Sequence, residues 1–388
     1  MLKKIKNFFI NFSITIVSVT LVLAIAEYLL APFILPHMPT GFLLSGEREI
    51  RFLGQHSVKS GLLPQSSYIA LFGDSYAEGY GDWLSGDNGG NRDSDHHSAN
   101  VINKILNVDV LSYGKSGHDN IKGNYIYPLY ISKRIEKLGF DLKEPDTILY
   151  YFYEGNDFWD NIAFNNKYCD AMVVNEANLE EYKAIVRDVK DEIANGKPLR
   201  LKEYFPMLNT ARRVIKYGFL TPVSKSFKKQ DIRSGDVTKI EVAGKTVALP
   251  DSLQAPPLGM SGERYSSALY TFQASLELSE EIYPKARKIV VYIPSPLACY
   301  NVVSDKVHLQ YGGPLFATSL IKPANRRLAA EIENIAKKSG FEFLDTTADL
   351  YNLGQKEFIH GPVDWKHFNR AGYEQLGKSV ANYLQKDI

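Results

Sequence analysis

Five short apolar runs recur along the chain, and each breaks off at a turn. They are Tyr68 to Phe72, Val108 to Tyr113, Thr147 to Tyr153, Lys288 to Ile293 and Phe341 to Leu344. Short, nearly continuous apolar runs read as strands buried on both faces. Between and around them lie stretches of helical spacing: Ala99 to Leu106, Asn120 to Leu138, Tyr265 to Ile282 and Ser319 to Lys338. A last one, Ala371 to Leu384, can be capped by Asn369. Strands that alternate with helices predict an α/β fold, a three-layer α/β/α doubly wound parallel sheet.

The polar residues that end these runs then gain a common address. In such a sheet the loops after the strands converge on one edge, where ligands bind. Ser75 follows the first run in Gly73-Asp74-Ser75. Gly117 follows the second and Asn156 the third, while Asp364 and His367 come after the last. A serine hydroxyl is a weak nucleophile until a base takes its proton. The imidazole of His367 suits that task near neutral pH. Asp364, three residues earlier, can accept the other ring N–H and fix the tautomer. Acyl transfer also needs donors for the developing oxyanion. The backbone N–H groups of Ser75 and Gly117 and the side-chain amide of Asn156 supply three candidates.

These residues carry a resemblance to the SGNH (GDSL-type) hydrolase family. Gly73-Asp74-Ser75 resembles its nucleophile block, with Tyr76 where the name-giving motif has leucine. Gly117, in Ser-Gly-His-Asp-Asn, fits the oxyanion glycine better than Gly114. Gly155-Asn156-Asp157 resembles the Gly-x-Asn-Asp block with one residue fewer, and Asp364-Trp365-Lys366-His367 resembles the Asp-x-x-His block. Tyr76 is expected not to touch the chemistry. The resemblance runs from about Tyr68 to the C-terminal end and implies metal-free ester hydrolysis or acyl transfer, with no cofactor. It is similar, in members carrying an N-terminal anchor, to enzymes acting on O-acetyl groups of cell-surface polysaccharide or peptidoglycan.

The N-terminal part sets the compartment. Lys3, Lys4 and Lys6 precede an apolar run from Phe8 to about Ala26. At ~1.5 Å per residue that run spans about 28 Å, close to a bilayer core. Early lysines favour a cytoplasmic N-terminus and an exported remainder. Ala24-Ile25-Ala26 also fits a signal-peptidase site, but the apolar text continues to Leu35, which suits a retained anchor. The expected organisation is a cytoplasmic tip and transmembrane anchor over 1–35, a linker over 36–65 and the hydrolase domain over 66–388. Within it, 158–259 reads as an insertion or cap, with a charged helix from Leu179 to Ala194, another from Arg212 to Phe219, and a hairpin from Thr238 to Leu249.

Other signals read as structure. Asp157 and Asp74 are expected to brace their turns, and Trp365 to pack. His96 and His97 with Asp93 and Asp95 lack metal-ligand spacing. Cys169 and Cys299 could pair in an exported protein, or be two buried thiols. Their separation excludes a zinc knuckle. A net charge of +1 gives no case for nucleic acid.

The function these features point to is a membrane-anchored serine esterase, with an ester substrate such as an acylated glycan or lipid. Two alternatives stand beside it: an O-acetyltransferase that passes the acyl group to a polysaccharide, and a catalytically silent glycan-binding or scaffold protein.

Overall fold

The computed structural model describes residues 2–34, 63–64, 67–81, 95–137, 142–195, 238–249, 253–311 and 315–386. Of the expected linker, 36–65, only 63–64 fall among these residues, with Leu63 buried against the sheet's core, and the helix at 212–219 lies outside them.

The five apolar runs form one parallel sheet. Its strands are β1 (Tyr68–Phe72), β2 (Asp109–Ser112), β3 (Thr147–Tyr153), β6 (Arg287–Ile293) and β10 (Glu342–Asp345), in the order β10-β6-β3-β1-β2. Every pairing among them is parallel. All five residues of β1 are buried, which explains its unbroken apolar text. The order reverses beside β1, which pairs with β2 on one side and β3 on the other, so the crevice at their carboxyl ends is the switch point of the sheet.

Alternate residues of each strand face opposite layers, as the pleat requires. On one face Ile69, Leu71, Leu149, Tyr151, Ile289 and Val291 join α3 (Ser98–Leu106) and α11 (Arg370–Gln385) in a common core. On the other, Ala70, Phe72, Tyr150, Phe152 and Tyr292 pack on α4 (Tyr127–Lys137), α7 (Gly262–Ile282) and α9 (Ile321–Lys338). The expected α/β/α layering is therefore the one observed. Asn369 caps α11, accepting from the Gly372 N–H at 3.3 Å.

Among the helices that escaped the sequence reading are the single turn α2 (Ser75–Glu78), α5 (Asp157–Tyr168) and α10 (Thr347–Gly354). The reason is plainest for α5, which turns amides inward. Asn161 Nδ2 donates to Asn120 Oδ1 at 2.8 Å, and Asn165 Nδ2 donates to Thr271 Oγ1 at 2.9 Å. Buried asparagines that find partners break the apolar period without breaking the helix.

Within the stretch expected to be an insertion, α5 and α6 (Leu179–Asn195) share a third apolar cluster with α7. The expected hairpin is β4 (Lys239–Val242) with β5 (Lys245–Ala248), and β4 also pairs with β7 (Asn301–Val302). A short helix, α8 (Pro296–Cys299), precedes β7, and the pair β8 (Lys306–Val307) and β9 (Phe316–Ala317) completes the strands. Cys169 and Cys299 are free and buried in different clusters, so the reading as two thiols holds.

N-terminal helix α1 (Leu2–Ile34) contains a window, Ile10–Leu30, with a mean hydropathy of 2.1. It is long and apolar enough to cross a membrane.

Candidate active site

β1 ends at Phe72, and the chain turns through Gly73, whose φ of 141° is a conformation that side chains rarely adopt. Asp74 then caps α2, its Oδ1 accepting the Tyr76 N–H at 2.8 Å. Ser75 is thereby fixed as the first residue of a helical turn, and its residue is only 4% exposed. Its Oγ lies 2.9 Å from Nε2 of His367 and 3.0 Å from Oδ2 of Asp74.

On the other ring nitrogen, His367 Nδ1 lies 2.6 Å from Asp364 Oδ2. The second carboxylate oxygen of Asp364 accepts the backbone N–H groups of Lys366 and His367, at 2.9 and 3.3 Å. Burial pushes the Asp364 carboxyl up, but His367 and these N–H groups outweigh it and hold the group below its ordinary value. Serine, imidazole and carboxylate, drawn from the two ends of the domain, thus form one chain of hydrogen bonds.

The loop carrying His367 is tied to the helical turn of Ser75 by a residue whose contact sequence reading missed. Tyr76 OH donates to the Lys366 carbonyl at 2.8 Å, and Tyr153 OH reaches the same carbonyl at 3.3 Å. Tyr76 was expected not to touch the chemistry; its hydroxyl bonds backbone and not the Ser75–His367–Asp364 side chains, yet it holds the His367 loop in place. A phenol's reach is the physical reason, since a leucine there offers no donor. Trp365 packs as expected, edge-on to Phe358 with centroids 5.9 Å apart.

The loop after β2 is stitched to the same turn. Glu78, buried on α2, accepts the Ser116 N–H at 2.6 Å, and Lys115 N–H reaches the Gly73 carbonyl at 3.4 Å. The two glycines of this loop do different work. A Cβ on Gly114 would lie 2.2 Å from the Glu78 nitrogen, so close packing requires glycine there. Gly117 has open space around it and a φ of 79°, so its requirement comes from the backbone.

Asn156 stands at the N-cap position of α5, just after β3, without a capping hydrogen bond from its side chain. One hydrogen of its amide goes to Asp160 Oδ2, at 2.7 Å. Asp160, one turn on, is pushed up to about 7 by burial, then by Asp74 and Asp119. The folded form therefore binds this proton more tightly than the unfolded chain does. The stability so gained is complete below the ordinary carboxylate range and lost as the pH rises through about 7. Asp160→Asn removes that dependence. At pH 8 the variant should be more stable than wild type by on the order of 2 kcal/mol, a lead that closes by pH 4 in paired thermal melts. Parallel profiles would contradict this.

Asp157 braces its turn, as expected: Oδ2 accepts from Asn120 Nδ2 and from the Tyr153 N–H, each at 2.9 Å. Beside it, Glu154 is fully buried and collects donors from Ser295 N–H at 2.7 Å, Ser295 Oγ at 2.6 Å, Asn325 Nδ2 at 2.8 Å and Tyr292 OH. His97 uses Nδ1 to cap α3, and Asp95 pairs with Lys104 at 3.0 Å; Asp93 lies outside the described residues. Among the described residues no group of three potential metal ligands occurs.

No family model and no curated protein matches the chain. Among solved structures it is similar to an acetyl xylan esterase (Est2A) from the rumen bacterium Butyrivibrio proteoclasticus. The identity is 14% and the TM-score 0.36, over 84% of this chain and 65% of that one. It is also similar to the aryl esterase of M. smegmatis, at 13% identity and a TM-score of 0.33, over 83% and 99% of the two chains. A carbohydrate esterase family 2 enzyme with a carbohydrate-binding domain, from Corynascus thermopiles (Myceliophthora fergusii), gives 11% and 0.35, over 84% and 67%. Likenesses this remote leave the chemistry to be argued from the site.

Proposed function

We propose that the chain is a serine-dependent ester hydrolase working through an acyl-enzyme, with Ser75 as nucleophile, His367 as base and Asp364 as orienting acid. The observation that carries this reading is the unbroken relay from Asp364 Oδ2 to Nδ1, and from Nε2 to Ser75 Oγ, at 2.6 and 2.9 Å. Oγ attacks the ester carbonyl as Nε2 takes its proton. The same imidazolium then protonates the departing alkoxide. Water, deprotonated by His367, releases the acyl group in a second round. The N–H groups of Ser75 and Gly117 and the second amide hydrogen of Asn156 receive the oxyanion.

In this reading α1 anchors the protein, with its lysines on the cytoplasmic side and the α/β domain outside. The substrates are O-acyl or O-acetyl esters of extracytoplasmic glycans or lipids. A sugar is favoured by Trp159, one helical turn beyond Asn156, and by Tyr311, whose ring centre lies 5.6 Å from that of Trp159. A fluorophosphonate probe tests the nucleophile. Intact mass should show one adduct on the wild-type protein, mapped to Ser75, and none on Ser75→Ala. An unlabelled wild-type protein would support a silent binder instead.

A further inference from the structure

Ser75 Oγ has two neighbours at hydrogen-bond distance, Asp74 Oδ2 and His367 Nε2, and a single proton to give. The hydroxyl cannot donate to both. Which contact it serves is decided from the far end of the relay. Asp364 is an ionised acceptor, with N–H groups on one oxygen and His367 Nδ1 on the other. Nδ1 therefore carries a hydrogen, and a His367 able to act as base has a bare Nε2. The Ser75 hydroxyl must then point at Nε2, which turns an Oγ lone pair towards Asp74. An ionised Oδ2 at 3.0 Å would face that lone pair with no hydrogen between them. Oδ1 already accepts the Tyr76 N–H, so the position open to a proton is Oδ2.

We propose that in the attacking form of the enzyme Asp74 is a neutral carboxylic acid whose Oδ2–H donates to Ser75 Oγ. The inference rests on the serine-hydrolase reading above and adds a residue to it. The surroundings favour the neutral acid. Asp74 is buried, and burial raises it above its ordinary value against the pull of Tyr76 N–H, His367 and Ser75. The charges that face it include Asp157 and Asp160, and the phenols of Tyr153 and Tyr373 lie in the same field. Asp157, whose Oδ1 is buried with no hydrogen-bond partner, is itself pushed up by burial and then by Asp74, so the two carboxyls oppose ionising together.

The acid acts on the reacting oxygen at both stages. When the Oγ–C bond forms, the hydroxyl proton passes to Nε2, and Asp74 keeps its own. When that bond breaks, Oγ recovers a proton from Nε2, while the Asp74 O–H steadies the departing oxygen. No net proton moves on or off Asp74. An ionised Asp74 would repel the electron-rich oxygen each time.

Asp74→Asn and Asp74→Ala, in the full chain and checked by circular dichroism, test this. Asparagine keeps a donor towards Oγ and an acceptor for Tyr76. Its acetyl-ester kcat should stay within about tenfold of wild type, and that of the alanine variant should fall by about 10²–10³-fold. The infrared difference spectrum of wild type minus Asp74→Asn, taken at the pH of maximal activity, should carry the C=O band of a protonated carboxyl. An asparagine variant no better than alanine overturns the proposal. So does the absence of that band. The two readings fail separately. Absence of fluorophosphonate label on wild-type Ser75 defeats the hydrolase reading, whereas normal labelling with either adverse Asp74 result defeats only the neutral acid.

Discussion

Ser75→Ala should lower the turnover of a simple acetyl ester by about 10⁴–10⁶-fold. In the proposed relay the hydroxyl is the nucleophile, and its partner His367 Nε2 lies 2.9 Å away. His367→Ala should cost about as much. The double variant should fall no further than either single one, because the two groups perform one step together. Steady-state kcat/KM for the three proteins makes the check. Additive losses would mean that serine and histidine act independently, and the relay would then be an accident of packing.

Asp364→Asn should lower kcat by on the order of 10⁴-fold, the second largest effect. Its carboxylate meets Nδ1 at 2.6 Å and fixes the hydrogen there. An asparagine amide can donate to Nδ1 instead, which leaves the hydrogen on Nε2 and removes the acceptor for Ser75. The backbone contacts from Lys366 and His367 to Oδ1 can survive the change, so the loop should keep its shape. Near-wild-type turnover in a correctly folded variant would show that Asp364 orients nothing of importance. Both rates are best compared at pH 7 to 8, above the range in which the depressed Asp364 carboxyl protonates.

Much of this arrangement was written in local text. The strands were legible because both faces of the sheet are covered, which makes Ile69 to Phe72 apolar without interruption. The relay was legible because each member sits in a turn, where a serine, an aspartate or a histidine has no packing excuse. What local text hides is reach. Tyr76 meets the Lys366 carbonyl across 290 residues, and no spacing rule announces such a contact. α5 was hidden because Asn161 and Asn165 sit among its inward residues, satisfied by Asn120 and Thr271 on other elements. The elevated Asp160 has the same origin. Its burial and its neighbours Asp74 and Asp119 belong to the folded arrangement, not to the text around it.

The carboxylate of Glu154, gathering hydrogens from Ser295, Asn325 and Tyr292, has an evolutionary consequence. Exchange of that one side chain for a smaller or apolar one strands several buried donors at once, and loss of any donor weakens a network whose members polarise one another. Single steps away from this cluster run downhill in fitness. Descendants should therefore keep the quartet intact or replace it as a set, so that its members co-vary.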